Sequence, residues 1–323
     1  MRPLAFIGRH ATKFMAGGVV VGFFAPGLAA LAKPLLVPAL VIPLALALIR
    51  LDWASIAACR RRPGLVAALV VWILGVSPLL VWGITTPALA LGLPEGLREA
   101  LILMAASSPI VSSVAIALFV GLDATLAVVA VVLATALVPL TLPPVALAML
   151  GVELAISLPV FMGRLAAMVG SAFFAAWLVR RIAGPSAIAA RSRLIDGLAV
   201  VNLVVFAVAI MDGVTAFALE RPGYAVLATA LAFAFNVALQ VAGWLAFRRC
   251  GAVTALTAGL VSGNCNMGLV LVALSGHASV EVTAFFALAQ LPMYMLPAAL
   301  EPLYRRLAGD GADAGMQGNA PPR

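Results

Sequence analysis

Apolar runs separated by short charged joints fill almost the whole chain. Five runs cover about 14–32, 34–49, 63–84, 97–120 and 124–147, and five more cover about 165–179, 194–210, 225–247, 252–274 and 282–303. A helix of about 20 apolar residues crosses the hydrocarbon core of a bilayer. The pattern therefore predicts an all-α membrane protein with ten transmembrane helices. Segment 154–163 is apolar but holds Pro159 and ends at Arg164, so it reads as an interfacial lead-in to the sixth span. From Arg164 to Arg180 is sixteen residues, about 24 Å of helix. Arg164 can therefore snorkel to the headgroups. Residues 308–323 are rich in Gly, Ala, Asp and Pro and predict a disordered tail.

Two runs are interrupted near their middle. The ninth holds Ser262-Gly263-Asn264-Cys265-Asn266 between two apolar stretches. A helix in lipid must satisfy its own backbone groups, so a Gly with two Asn at mid-depth predicts a helix that breaks and faces a cavity. The alternative is an unbroken helix whose asparagines bond to its neighbours. The fourth run holds Ser107-Ser108-Pro109-Ile110-Val111-Ser112-Ser113. Proline removes a helical hydrogen bond, and Ser108 before Pro109 reads as the N-cap of a new helix. Interrupted spans in corresponding positions of two halves point to a transporter's binding site.

The joints fix a sidedness. Sixteen of the twenty basic residues fall on the side that would carry both termini: Arg2, Arg9 and Lys13, then Arg50 and Arg60 to Arg62, Arg180, Arg181, Arg191 and Arg193, Arg248 and Arg249, and the arginines after 304. Lys33, Arg98, Arg164 and Arg221 fall on the other. Both termini are therefore expected in the cytoplasm, with a bacterial inner membrane as the setting. Leu28-Ala29-Ala30-Leu31-Ala32 resembles a cleavage region, but cleavage would leave nine spans, and an uncleaved first helix is the reading taken. Five spans per half force the second half to be inverted. The expectation is a first inverted repeat over 1–150, a second over 151–307 and a tail over 308–323.

Composition narrows the class further. The chain has 323 residues, of which 64% are hydrophobic and 10% charged, and its mean hydropathy is +1.17. A bundle of membrane helices has this make-up and a soluble domain does not. The net charge of +8 lies in clusters between apolar runs, a pattern of loops rather than of a nucleic-acid surface. Cys59, Cys250 and Cys265 offer neither metal spacing nor a disulfide framework. His10 and His277 lie at or beyond membrane edges, and no His-Glu-x-x-His, Ser/His or Asp/Asp arrangement occurs within the spans. An enzyme is therefore not expected, and neither a cofactor nor a metal is implied.

At its two breaks the chain resembles the bile acid/sodium symporter family. The fragments are Ser108-Pro109 with Gly121-Leu122-Asp123, and Gly263-Asn264-Cys265-Asn266-Met267-Gly268-Leu269. The general layout of the resemblance covers about 14–306. It implies ten helices in two inverted repeats, with helices four and nine unwound and crossing. It also implies a core of spans 3–5 and 8–10, a panel of spans 1, 2, 6 and 7, and substrate held between them.

The departures are as informative. The family's fourth-helix motif reads roughly Cys-Pro-Gly-Gly-Thr-Ala-Ser-Asn, and its sodium-binding Ser-Asn pair falls here on Val114-Ala115. The ninth-helix Glu-Thr-Gly-x-Gln-Asn becomes Val261-Ser262-Gly263-Asn264-Cys265-Asn266. The third-helix Gln becomes Ile73, and the fifth-helix Ser and Thr fall on Ala127 and Val131. Sodium in a low-dielectric site needs several oxygen ligands, usually including a carboxylate. These side chains supply none, so the expectation is this fold without the family's usual sodium sites.

The function expected is secondary transport of a small organic anion by alternating access. Half-helix N-termini at the breaks would turn positive dipole ends toward a carboxylate or sulfonate. Ser108, Ser112, Ser113, Asn264, Cys265 and Asn266 are the candidate substrate residues, with Pro109 and Gly263 as the helix breaks. Asn236 and Gln240 lie four apart on one helix face, and with Gln290 they read either as substrate contacts or as interhelical hydrogen bonds. Asn202 carries the same two readings. Asp196 and Asp212 read as interfacial rather than proton-carrying, and Asp123 reads as a helix cap. An auxin-efflux-like or arsenite-type carrier and a non-transporting sensor are the alternatives. Cys265 could bind a thiophilic cargo or simply pack.

Overall fold

The computed structural model describes residues 11–51, 62–151, 156–274 and 276–309. Arg2, Arg9, His10, Cys59, Arg60, Arg61 and the tail from 310 onward lie outside the described residues. Among the described residues the only extended pairing is one isolated bridge; the rest is helix and turn. Among these residues, seven helical runs are long and apolar enough to cross a membrane: Pro26–Arg50, Pro63–Ala90, Ala124–Leu150, Leu158–Ala190, Ser192–Glu220, Pro222–Cys250 and Val280–Ala308. The chain is an all-α integral membrane protein.

The first half opens with α1 (Ala11–Phe24) and α2 (Pro26–Ala32). A 3-10 turn at Lys33–Leu35 then leads into α3 (Leu36–Arg50). The break between the first two runs falls at Ala25-Pro26, not at the 32/34 boundary that hydropathy suggests. Pro26 starts a helix at its first position, where its missing N–H is no loss, whereas Pro34 is absorbed by the 3-10 turn. Next come α4 (Pro63–Val71), a π turn over Trp72–Val76, and α5 (Ser77–Ala90). Pro78 cannot donate a helical hydrogen bond, and the wider turn just before it takes up the strain. The fourth run is two helices, α6 (Glu95–Ala105) and α7 (Ser112–Phe119). Helix α8 (Ala124–Leu150) follows, and Asp123 caps it by accepting from the Leu126 amide at 2.9 Å.

The second half starts with α9 (Leu158–Ala190), kinked at Gly184. The segment read as an interfacial lead-in is continuous with this helix from Leu158 on, because Pro159 sits in its first turn where proline is tolerated. Then come α10 (Ser192–Ala209), α11 (Val214–Glu220) and α12 (Pro222–Phe247). The ninth run is again two helices, α13 (Ala252–Gly263) and α14 (Met267–Ala273). The last run divides at Ala289 into α15 (Val280–Leu288) and α16 (Gln290–Ala308).

Charged groups settle at the two ends of the bundle. Arg50 pairs with Asp196, and Arg305 donates to the Phe119 carbonyl at 3.0 Å, at one end. Arg180 belongs to the same end and donates to the Ile49 and Leu51 carbonyls at 2.6 and 2.8 Å. It thereby satisfies the orphan carbonyls where α3 stops. Lys33 and Asp212 pair at 2.8 Å, and Arg221 and Glu281 at 2.7 Å, at the other end. Arg164 reaches that end too, donating to the Ala273 carbonyl at 3.3 Å and lying 3.5 Å from His277 Nδ1. Asp196 and Asp212 are thus both engaged by cations at opposite ends of α10 and its following turn.

Candidate functional site

The two interruptions meet. Pro109 and Cys265 form an antiparallel bridge. The Ile110 amide donates to the Asn264 carbonyl, and the Asn266 amide donates to the Ser108 carbonyl, both at 2.7 Å. Each break therefore satisfies the backbone groups that the other leaves open, as a low-dielectric interior demands. Side chains finish the task locally. Ser107 Oγ donates to the Met104 carbonyl at 2.8 Å, and Asn264 Nδ2 donates to the Leu260 carbonyl at 2.9 Å. Asn266 caps α14 by accepting from the Leu269 amide. The capping expected of Ser108 differs: α7 begins at Ser112, because 108–110 are held extended against 264–266.

Helix α13 reaches this crossing by lying close on α12. A Cβ built on Gly259 would stand 2.6 Å from the Gln240 carbonyl oxygen, and one on Gly263 would stand 2.5 Å from that of Asn236. Small residues let membrane helices approach so closely. Asn236 Nδ2 donates to the Gly263 carbonyl at 2.8 Å, Gln240 Nε2 donates to Asn236 Oδ1 at 2.6 Å, and the Tyr304 hydroxyl donates to Gln240 Oε1. On the other side Trp72, in the π turn, donates from Nε1 to Ser262 Oγ at 2.9 Å. The end of α13 is thus clamped by α12, α16 and the π turn. Asn236→Leu is expected to lower the folded protein's stability in detergent by about 1–3 kcal/mol, since it leaves the Gly263 carbonyl and the Gln240 amide without partners. Thermal unfolding of the purified variant measures this; an unchanged midpoint would show that the clamp carries no weight.

A cavity of about 900 Å³ lies against one face of the crossing. Its polar floor holds Ser112, Asn266 and Gln290, and Tyr294 stands beside them. The buried Tyr294 hydroxyl has no hydrogen-bond partner within the described chain. The walls are apolar side chains of α3, α7 and α10, including Leu40, Leu44, Val114, Ala115, Leu203 and Phe206. Arg50, Arg193 and Asp196 line it at the basic end. The cavity thus runs between α3 and α10 on one side and the crossing on the other.

Of the candidate residues, Ser112, Asn266 and Gln290 line this cavity. Ser108, Ser113, Asn264 and Cys265 are buried at the crossing but are not among its lining residues. Asn236 and Gln240 turn into the α12–α13 contact instead. Asn202 donates to the Leu198 carbonyl of its own helix at 2.9 Å. Val261, Ile73, Ala127 and Val131 are buried and apolar, and Val114 and Ala115 face the cavity. Among the described residues, no three His, Cys, Asp or Glu side chains gather. Tyr294 and Phe206 were not marked by sequence, Gly268 entered only within the family fragment, and Arg50, Arg193 and Asp196 entered as joint and interfacial charges rather than as cavity residues. Tyr294 lies four residues beyond Gln290, one helical turn along the same face, and this spacing was the available signal. Comparison with protein-family models and with curated proteins gave no match.

Proposed function

We propose that the chain is a secondary transporter of a small organic anion, working by alternating access without the side-chain sodium ligands of the family it resembles. In this reading its ten spans form two inverted five-helix repeats, 1–150 and 151–307. The two broken pairs α6–α7 and α13–α14 serve as spans four and nine. The panel is α1–α3 with α9 and α10, the core is α4–α8 with α12–α16, and both termini are cytoplasmic. One observation carries it: two broken helices bridged back to back at the floor of a cavity of about 900 Å³. A cavity with apolar walls and a few polar groups suits an organic molecule. Ser112 at the start of α7, Asn266 and Gln290 would hydrogen-bond a polar group of it. Cys265 lies under the Pro109 bridge and not on the cavity wall, which counts against a thiophilic cargo.

The test is uptake of radiolabelled organic anions into proteoliposomes, with and without a sodium gradient. Saturable uptake that persists without sodium is expected, and Asn266→Leu should reduce it about tenfold, the loss of one or two hydrogen bonds to the ligand. Folded protein that moves no anion would favour the sensor alternative. Sodium-dependent uptake abolished by changes at 261–266 would overturn the ion-independent part.

A further inference from the structure

Among the described residues, charge lines the cavity at one place. Arg50, Arg193 and Asp196 are its charged lining residues, and Arg50 takes up Asp196. Other arginines of this end turn elsewhere. Arg180 caps α3, Arg181 stacks over Trp177, and Arg305 joins Glu301 and the Phe119 carbonyl. Arg193 is exposed on the cavity and forms no ion pair with a described carboxylate. It is also the second residue of α10, in the turn where the helix dipole disfavours a cation. The helix itself thus gives this charge no stabilisation, while a negative group in the cavity would.

We infer that Arg193 docks the negative end of an elongated amphipathic anion whose neutral, hydrogen-bonding end rests on the polar floor. This rests on the carrier reading above and adds a length and a polarity to its cargo. Leu40 lies at the floor and Arg50 at the mouth of the same helix. Their ten-residue separation is about 15 Å, roughly the reach of an extended twelve-carbon chain. Asp196 lies one turn along α10 from Arg193 and is drawn to Arg50, so the carboxylate at the mouth is already neutralised. A short anion could reach the floor or the mouth, and only a long one both.

The experiment compares binding of ω-hydroxydodecanoate, dodecanediol and butanoate to the full chain in nanodiscs by calorimetry. The wild type should bind the hydroxy acid at least about tenfold tighter than the diol, the scale of a charge-assisted hydrogen bond. Arg193→Gln should abolish that preference while leaving the affinity for the diol unchanged, and butanoate, which cannot span both ends, should bind the wild type more weakly than the hydroxy acid does. Arg193→Lys should keep most of it. The unchanged diol affinity shows that the variant is folded. A preference that survives Arg193→Gln, a wild type that does not distinguish acid from diol, or one that binds neither long probe overturns the inference. If the wild type transports other anions in those cases, the carrier reading stands without it. If Arg193-dependent binding is seen but no anion is transported, the carrier reading falls alone.

Discussion

Gly263→Ala is expected to destabilise the protein by about 2–3 kcal/mol and, on the carrier reading, to abolish anion uptake, although alanine is the better helix former. Position 263 ends α13, where the Gly to Ala change in propensity would by itself favour the helix by about 1 kcal/mol. Packing acts the other way. The added Cβ would stand 2.5 Å from the Asn236 carbonyl oxygen and 3.2 Å from Asn236 Oδ1, and would also meet Gln240 Cγ. A side-chain tip could move aside, but the carbonyl belongs to the backbone of α12. Relief therefore requires α12 and α13 to part, which stretches the 2.8 Å bond from Asn236 to the Gly263 carbonyl. Overpacking of this kind costs about 1–3 kcal/mol, and an orphaned buried carbonyl adds to it. Thermal unfolding in detergent, with uptake measured in parallel, checks the prediction. A variant as stable as the wild type, or more so, would mean that propensity decides and that the close approach is not needed.

The crossing was legible because polar residues and a proline in the middle of apolar runs have few physical explanations. Ser107 to Ser113 and Ser262 to Asn266 cannot lie in an ordinary lipid-facing helix, and the structure interrupts both. That they bridge each other at Pro109 and Cys265 followed only from the family resemblance, since nothing in two separate strings of residues fixes their contact. The cavity was less legible. Spacing shows that Asn236 and Gln240 share a face, but not that this face meets α13. Tertiary packing decides that, through the glycines of α13. The walls are apolar like any buried surface, so Leu40, Leu203 and Phe206 carry no chemical mark. The first helix boundary failed for a related reason: Pro26 and Pro34 are equally good starts for a helix, and hydropathy does not choose between them.

A side chain at position 268 is expected to shift the protein away from the arrangement seen here. Gly268 is the second residue of α14, on the floor of the cavity, where side chains of α3 and α10 close against it. A Cβ there would stand 2.6 Å from Phe206 Cζ and 3.1 Å from Leu40 Cδ1. Unlike the neighbours of Gly263, these are the far ends of side chains, so the fold can survive the change. The contact that suffers lies between the cavity floor and the end that carries Lys33 and Asp212, where the carrier reading requires a seal. Gly268→Leu should therefore cost this arrangement about 1–3 kcal/mol and leave one opened to the opposite end unaffected, a population shift of about 5- to 150-fold. In a background without native cysteines, Ser112→Cys reports the change. A membrane-impermeant maleimide supplied at the basic end should label it more slowly, by at most that factor, once Gly268→Leu is added. Phe206→Ala, which removes the ring from the path of the new side chain, should restore the rate. Unchanged labelling in a folded Gly268→Leu protein would mean that α3 and α10 do not part from α14 at this point, and the carrier reading would need an opening elsewhere.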